Sequence, residues 1–304
     1  MVEPQVGGTY ARLRDLARWA ERQGLDAFAR SDHFLDQERS ADATDALTTY
    51  GGLAEATTSI QLVVLVTPLT FRHPAVIAKT ATTLDEMTGG RFALGVGTGW
   101  MQSEHDAFGI DLPPLAERFD RLFETLSYLR AAFGSRKGFE GTYYRLDPIE
   151  VLPRPAKVPI VVGGSGPKKT PTIAGRLADE YNLFVTDRQT LDARIAVMRS
   201  AADAAGRNSD AVKVSLAGPV VVAEDEASYR SLLASRGARR DLSAAEYEDF
   251  LVENNVPHGT RETARASIAT LEDIGVDRYY LQEYRDLAEI DTEALECVFS
   301  IIRS

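Results

Sequence analysis

The run Ile60-Gln61-Leu62-Val63-Val64-Leu65-Val66 permits few folds. Apolar, mostly β-branched residues at consecutive positions, without polar alternation, belong in a strand covered on both faces. Such a strand sits in a parallel sheet flanked by helices. The pattern recurs near residues 91, 159, 180, 212 and 278, and a shorter strand fits 25–30. Met1-Val2-Glu3-Pro4-Gln5 holds only the end of another, so strands are expected near 2, 25, 60, 91, 159, 180, 212 and 278. Helices are expected over 9–23, 42–57, 75–87, 115–133, 167–177, 191–205, 260–274 and 292–302. Alternating strands and helices demand parallel strands joined by helical crossovers. An α/β chain of eight such units is expected to close into a (β/α)8 TIM barrel, one domain over residues 1–304. An open doubly wound sheet is the competing architecture. The polar crossing at 134–158 and the charged stretch at 224–258 read as insertions after the fourth and seventh strands. A single strand is expected over 212–222, and no strand within 224–258.

With 304 residues, 44% hydrophobic and 26% charged, the chain can bury a large core. A net charge of -11 repels phosphate backbones, so no nucleic-acid partner is expected. The single cysteine, Cys297, excludes a disulfide within the chain. No apolar stretch approaches the roughly 18 residues that a spanning helix needs, and no signal segment opens the chain. A cytoplasmic protein acting on a small molecule, without a membrane partner, is expected.

In a barrel the loops after the strands gather on one face, and the site lies there. Asp32-His33, Thr67-Pro68, residues 97–105, residues 163–166 and Asn182 each follow or end a strand. Gly163-Gly164-Ser165-Gly166, followed by Lys168, Lys169 and Thr170, opens a helix. That stretch suits a phosphate held by backbone N–H groups, or else it is a tight turn with solvated lysines. Gly95, Gly97 and Gly99 lead into a polar loop rather than a helix, which argues against a dinucleotide fingerprint. A methyltransferase would want an acid just ahead of these glycines, and Phe92-Ala93-Leu94 supplies none. The glycines read instead as clearance for a flat ligand or a neighbouring loop. Asp32-His33 is either an acid–base pair or a structural one. His73, before Pro74, reads as structural, and Glu104-His105 as a loop brace or a substrate contact. The histidines at 33, 73, 105 and 258 lack ligand spacing, so no metal is expected.

GGRFALGVGTGWMQSEHDAFGI, the preceding TPLTFRHPAVIAKTATTLDEMTGGR, SDHF, and PIVVGGSGPKKTPTIAGRLADEYN together resemble the bacterial-luciferase-like flavin oxidoreductases. The likeness runs over residues 3–185 and 259–282, and is nearest the branch using the deazaflavin coenzyme F420. FMN enzymes share most of these motifs. The resemblance implies a luciferase-like barrel with the ring across its mouth, and a homodimer. The activity implied is F420-dependent hydride transfer to or from a small organic substrate. The alternatives are a reduced-FMN monooxygenase and a cofactor-binding protein without turnover, its pocket blocked by Trp100. Asp32 and His33 would flank the ring as catalytic groups. Val64, Leu65 and Thr67 would back it, with a cis peptide at Val64–Leu65. Thr98, Gly99, Ser103 and Glu104 would line one edge, Glu104 with a catalytic role. Gly163, Gly164, Ser165, Gly166, Lys168 and Lys169 would hold the cofactor phosphate, and Asn182 the ring's polar edge. Relatives carry a complete first strand. Here the expectation is a barrel short by half a strand, or a chain whose start lies upstream. Trp100 and Met101 stand where many relatives are polar, and would make the pocket more apolar or fill it.

Overall fold

The computed structural model describes residues 1–36 and 43–303. In chain order the elements are α1 (Tyr10–Arg22), β1 (Ala27–Arg30), α2 (Ala46–Ala56), β2 (Gln61–Pro68), α3 (Pro74–Thr88), β3 (Phe92–Gly97), α4 (Gln102–Phe108) and α5 (Leu115–Phe133). The hairpin β4 (Phe139–Glu140) and β5 (Arg145–Leu146) follows, then β6 (Ile160–Gly163), α6 (Lys169–Leu177), β7 (Glu180–Phe184) and α7 (Arg188–Ala204). The chain closes with β8 (Lys213–Gly218), β9 (Val221–Ala223), α8 (Glu226–Ala238), α9 (Ala244–Glu253), β10 (His258–Thr260), α10 (Arg261–Ile274), β11 (Arg278–Leu281) and α11 (Thr292–Arg303).

Seven parallel strands run round the wall in the order β1-β2-β3-β6-β7-β8-β11. The seam is closed at its upper end by Val2, which bridges in parallel to Arg30 and to Glu283. Val2 N donates to Ala29 O at 2.9 Å, and Glu283 N to Met1 O at 3.0 Å. The eighth strand expected near residue 2 is thus reduced to one bridging residue. Below it, a cavity of about 130 Å³ lies between β1 and β11, against Trp19 and Phe299.

Side chains alternate along each strand, as the two-residue period requires. Leu62, Val64, Leu94 and Val162 point out into the large core shared with the helices. Ala29, Val63, Leu65, Ala93, Val161, Ala217 and Tyr280 point inward and fill the barrel's middle. Small residues at 29, 93 and 217 let that layer fit. The floor is polar: Tyr280 OH donates to Glu180 Oε1 at 3.0 Å, and Arg278 donates to Gln61 Oε1 at 2.9 Å. Fully buried strands are therefore legible as continuous apolar runs because both faces are covered.

Helix starts obey local rules. Thr9 caps α1 by accepting from Arg12 N, and His73 caps α3 by accepting from Ala75 N, with Pro74 at the first helical position. Gly89, left-handed at φ 64°, stops α3.

Five expectations need correction. The polar loop after β3 contains the helix α4, only seven residues long and without a side-chain cap, so neither period nor cap announced it. The crossing at 134–158 holds the hairpin β4–β5. The strand expected over 212–222 is two: β8 stays in the barrel, while β9 turns away after Pro219 and pairs in parallel with β10. The stretch 224–258 therefore does end in a strand, beginning at His258. The cis peptide is at Leu65–Val66, one residue later than expected. The expected helix start at residue 42 lies outside the described residues, and α2 is seen from Ala46.

Candidate active site

The β2 ladder shifts register against β3 between Val64 and Thr67. There Val66 turns its side chain against the glycines of neighbouring strands. A Cβ on Gly97 would meet Val66 Cγ2 at 2.7 Å, and one on Gly163 would meet Val66 Cγ1 at 2.9 Å. On Gly95 it would meet Val64 O at 2.2 Å. The spaced glycines thus serve the close approach of β2, β3 and β6 rather than a nucleotide turn. They also leave a smooth wall at the mouth.

That wall bounds a cavity of about 390 Å³ at the C-terminal ends of the strands, within the range of small-molecule sites. Leu65, Thr98, Gly99, Gly163, Gly164, Ser165, Asn182 and His33 of the expected residues meet here. Asn182 lines it because Glu180, Asn182 and Phe184 share the inner face of β7, and its Nδ2 donates to Ser215 Oγ at 3.0 Å.

His33 follows β1, and Glu104 rises from α4. His33 Nδ1 lies 3.4 Å from Glu104 Oε1. The second oxygen, Oε2, accepts from Phe34 N and, at 3.2 Å, from Leu35 N. Burial alone would push the Glu104 pKa up. The hydrogen bond and charge of His33 and the two backbone donors outweigh it, so the carboxyl is held below its usual range. With Nδ1 engaged, Nε2 is the ring nitrogen left for a ligand. The Trp100 ring packs edge-on to His33 at 5.7 Å and is 61% exposed, so it stands on the rim.

Asp32 is fully buried behind His33. Its Oδ2 accepts from Arg72 Nη1 at 2.6 Å, and the same guanidinium donates to Thr67 Oγ1 at 2.9 Å and to Asp45. Asp32 Oδ1 is buried without a partner. Val64 faces the outer core, and Thr67 is spent on Arg72, so neither lines the cavity. Ser103 sits on α4 and does not line it either. Gly166, Lys168 and Lys169 are not in this wall. The lysines border a neighbouring surface groove, where Lys169 Nζ stands 5.3 Å from the Phe119 ring centroid. Gly166 packs near Thr170. His105 is a brace, with Nε2 2.7 Å from Thr70 Oγ1 and Nδ1 2.8 Å from Met101 O.

Two residues escaped sequence reasoning. Arg118 reaches across from α5 and donates to Gly99 O, while its Nε is buried without a partner and burial lowers its pKa. Glu3 lines the cavity opposite the glycine wall and is 3% exposed. It accepts from Gln5 Nε2 at 2.8 Å and Gln282 Nε2 at 2.5 Å, and Ser31 Oγ donates to Gln5 Oε1 at 2.7 Å. The only available signal for Glu3 was its place within the strand stub of residues 1–5.

The model of the luciferase-like monooxygenase family matches residues 2–278. An F420-dependent glucose-6-phosphate dehydrogenase of Nakamurella multipartita is 37% identical over 208 residues, 66% of this chain and 60% of that protein. An FMNH(2)-dependent dimethylsulfone monooxygenase of Pseudomonas putida is 28% identical over 238 residues, 76% of this chain and 63% of that protein. The chain thus spans about half to three fifths of the dehydrogenases it matches (51% and 60%). The structure of an F420-dependent secondary alcohol dehydrogenase superposes with a TM-score of 0.79 at 20% identity, covering 99% of this chain and 96% of that one. A long-chain alkane monooxygenase superposes at 0.75 and 20% identity, covering 97% and 84%. These structural likenesses show the shared barrel fold.

Proposed function

The chain belongs to the luciferase-like monooxygenase family, and from that premise we propose that it is an F420-dependent oxidoreductase moving a hydride to or from a small organic substrate. The observation that carries the reading is the His33–Glu104 pair at the mouth of the glycine-walled cavity. The relatives named as F420-dependent glucose-6-phosphate dehydrogenases support the cofactor.

The residues present fit a deazaflavin. Asp32 Oδ1 and Arg118 Nε are buried polar atoms without partners beside the wall; the carboxylate oxygen suits a donor on a ligand's polar edge, and the guanidinium N–H suits an acceptor or a phosphate. The first turn of α6, after Gly163, Gly164 and Ser165, offers backbone donors to an anion, with Lys168 and Lys169 adding charge. Bound there, F420 supplies a ring carbon that accepts or gives up a hydride. The protein's share is orientation and proton handling. Glu104 orients the His33 ring through Nδ1. Nε2 then takes or returns the substrate's proton. Leu65 and Pro68 give the cavity an apolar lining. Trp100 leaves the cavity open, which weighs against a protein that binds without turnover.

A second reading is a reduced-FMN monooxygenase, favoured by the dimethylsulfone relative, which aligns with more of this chain. Titrating the protein with F420 and FMN, oxidised and reduced, while following tryptophan fluorescence, separates the two. Tighter F420 binding, weakened by joint Lys168→Ala and Lys169→Ala substitution, is expected. A preference for FMN with O₂ consumption would establish the second reading. Unchanged affinity in the double variant would remove the phosphate assignment.

A further inference from the structure

Among the described residues no lysine or arginine lines the cavity. Arg72 stands behind it and is spent on Asp32, Asp45 and Thr67. Arg118 donates to Gly99 O on the glycine side. The opposite side carries Glu3, buried, with two neutral amides as donors and no cationic side chain paired to it among the described residues. The Met1 amino group is nearby but donates to Leu281 O at 2.7 Å. Burial pushes its pKa down to about 6, against the charges of Glu3 and Glu283.

A carboxylate offers about four acceptor positions, and the two amides take one on each oxygen. Its charge sits in a low-dielectric wall, where an approaching anion is repelled far more strongly than in water. A ligand hydroxyl or ammonium would meet an acceptor already fixed by Gln5 and Gln282. Leu65, Val66, Pro68, Phe184 and Ala217 make much of the remaining lining apolar, beside the uncharged polar groups of Ser31, Thr98, Ser165 and Asn182 and the His33 ring.

We infer that the substrate is a compact, largely apolar molecule bearing a hydrogen-bond donor (an alcohol or a protonated amine) and no phosphate, and that Glu3 binds the donor. This rests on the cavity's being the substrate site, and it sets the chain apart from relatives whose names carry glucose 6-phosphate. Donor and charge are both read by one side chain. Amines therefore gain over alcohols, and a phosphate ester seated against Glu3 is disfavoured by its charge.

The test is direct titration, followed by tryptophan fluorescence and calorimetry, with cyclohexanol, cyclohexylamine, cyclohexyl phosphate and glucose 6-phosphate. Each is added to the protein with and without F420. The alcohol and the amine should bind at least tenfold more tightly than either phosphate. Glu3→Gln should cut amine affinity at least tenfold and alcohol affinity less, with F420 affinity unchanged; Glu3→Asp should keep part of the amine preference. Tight binding of either phosphate, no binding of any probe, or an unaltered amine preference in Glu3→Gln would each overturn the inference. Because binding is also read without F420, failure of the cofactor assignment would show separately, as absence of F420 binding alone.

Discussion

Glu104 Oε1 lies 3.4 Å from His33 Nδ1, and its other oxygen takes the backbone N–H groups of Phe34 and Leu35. One carboxylate on α4 thus fixes both an imidazole and the loop that carries it. Sequence distance between the two residues is large, and only barrel closure brings them together.

If His33 handles the proton, His33→Asn should lower turnover by about 100-fold or more, the usual range for a lost general acid–base. Cofactor affinity should stay near wild type. Steady-state kinetics beside cofactor titration checks this, and parallel losses in both would assign His33 to binding instead.

The Glu104 carboxyl is held below its usual range in the folded state, with burial opposing and His33 and the loop N–H groups prevailing. Its contribution to stability is therefore full above the unfolded value of about 4.3 and is lost as pH falls through the lower folded value. The difference in melting temperature between wild type and Glu104→Gln should be largest near neutrality and should close in acid. Melts from neutral pH down to the acid limb measure it; a difference that grows in acid would contradict the pairing.

Arg72 compensates the buried Asp32 and also reaches Asp45. Arg72→Met leaves Asp32 charged and unpaired, a loss of roughly 3–5 kcal/mol in urea unfolding. Replacing Asp32 by Asn in the same chain should recover a large part of that loss.

Gly97→Ala would put a Cβ 2.7 Å from Val66 Cγ2. Overpacking of this kind costs about 1–3 kcal/mol. Val66→Ala in the same protein should relieve it, with a favourable coupling of about 0.5–3 kcal/mol in a double-mutant cycle. Strict additivity would show that the two positions do not press on each other.

Much of the barrel was legible because strands covered on both faces read as unbroken apolar runs, as in residues 60–66. The motif order then pointed to the family, and the mouth residues His33, Thr98, Gly99, Gly163 and Asn182 do meet in one cavity. Short elements were hidden. The helix α4 has no side-chain N-cap, and only Pro219 and Val220 separate β8 from β9, so the two read as one apolar run. The phosphate reading of Lys168 and Lys169 rests on their place in the first turn of a helix after a glycine-rich stretch, a pattern that does not say which groove a first-turn side chain borders. Glu3 and Arg118 were invisible because their meaning comes from what lacks a charge partner around them, a property of space and not of spacing.

The Val2 bridge has a mechanical consequence. A cylinder sealed at one end of its seam is stiff there and compliant at the other. Local opening should start on the floor side, between Ala27 and Arg278, where the small cavity lies. The mouth of the cavity, joined through Val2 to both Arg30 and Glu283, is the last part of the seam to part. Breathing and the proposed site are thereby assigned to opposite ends of the same cylinder.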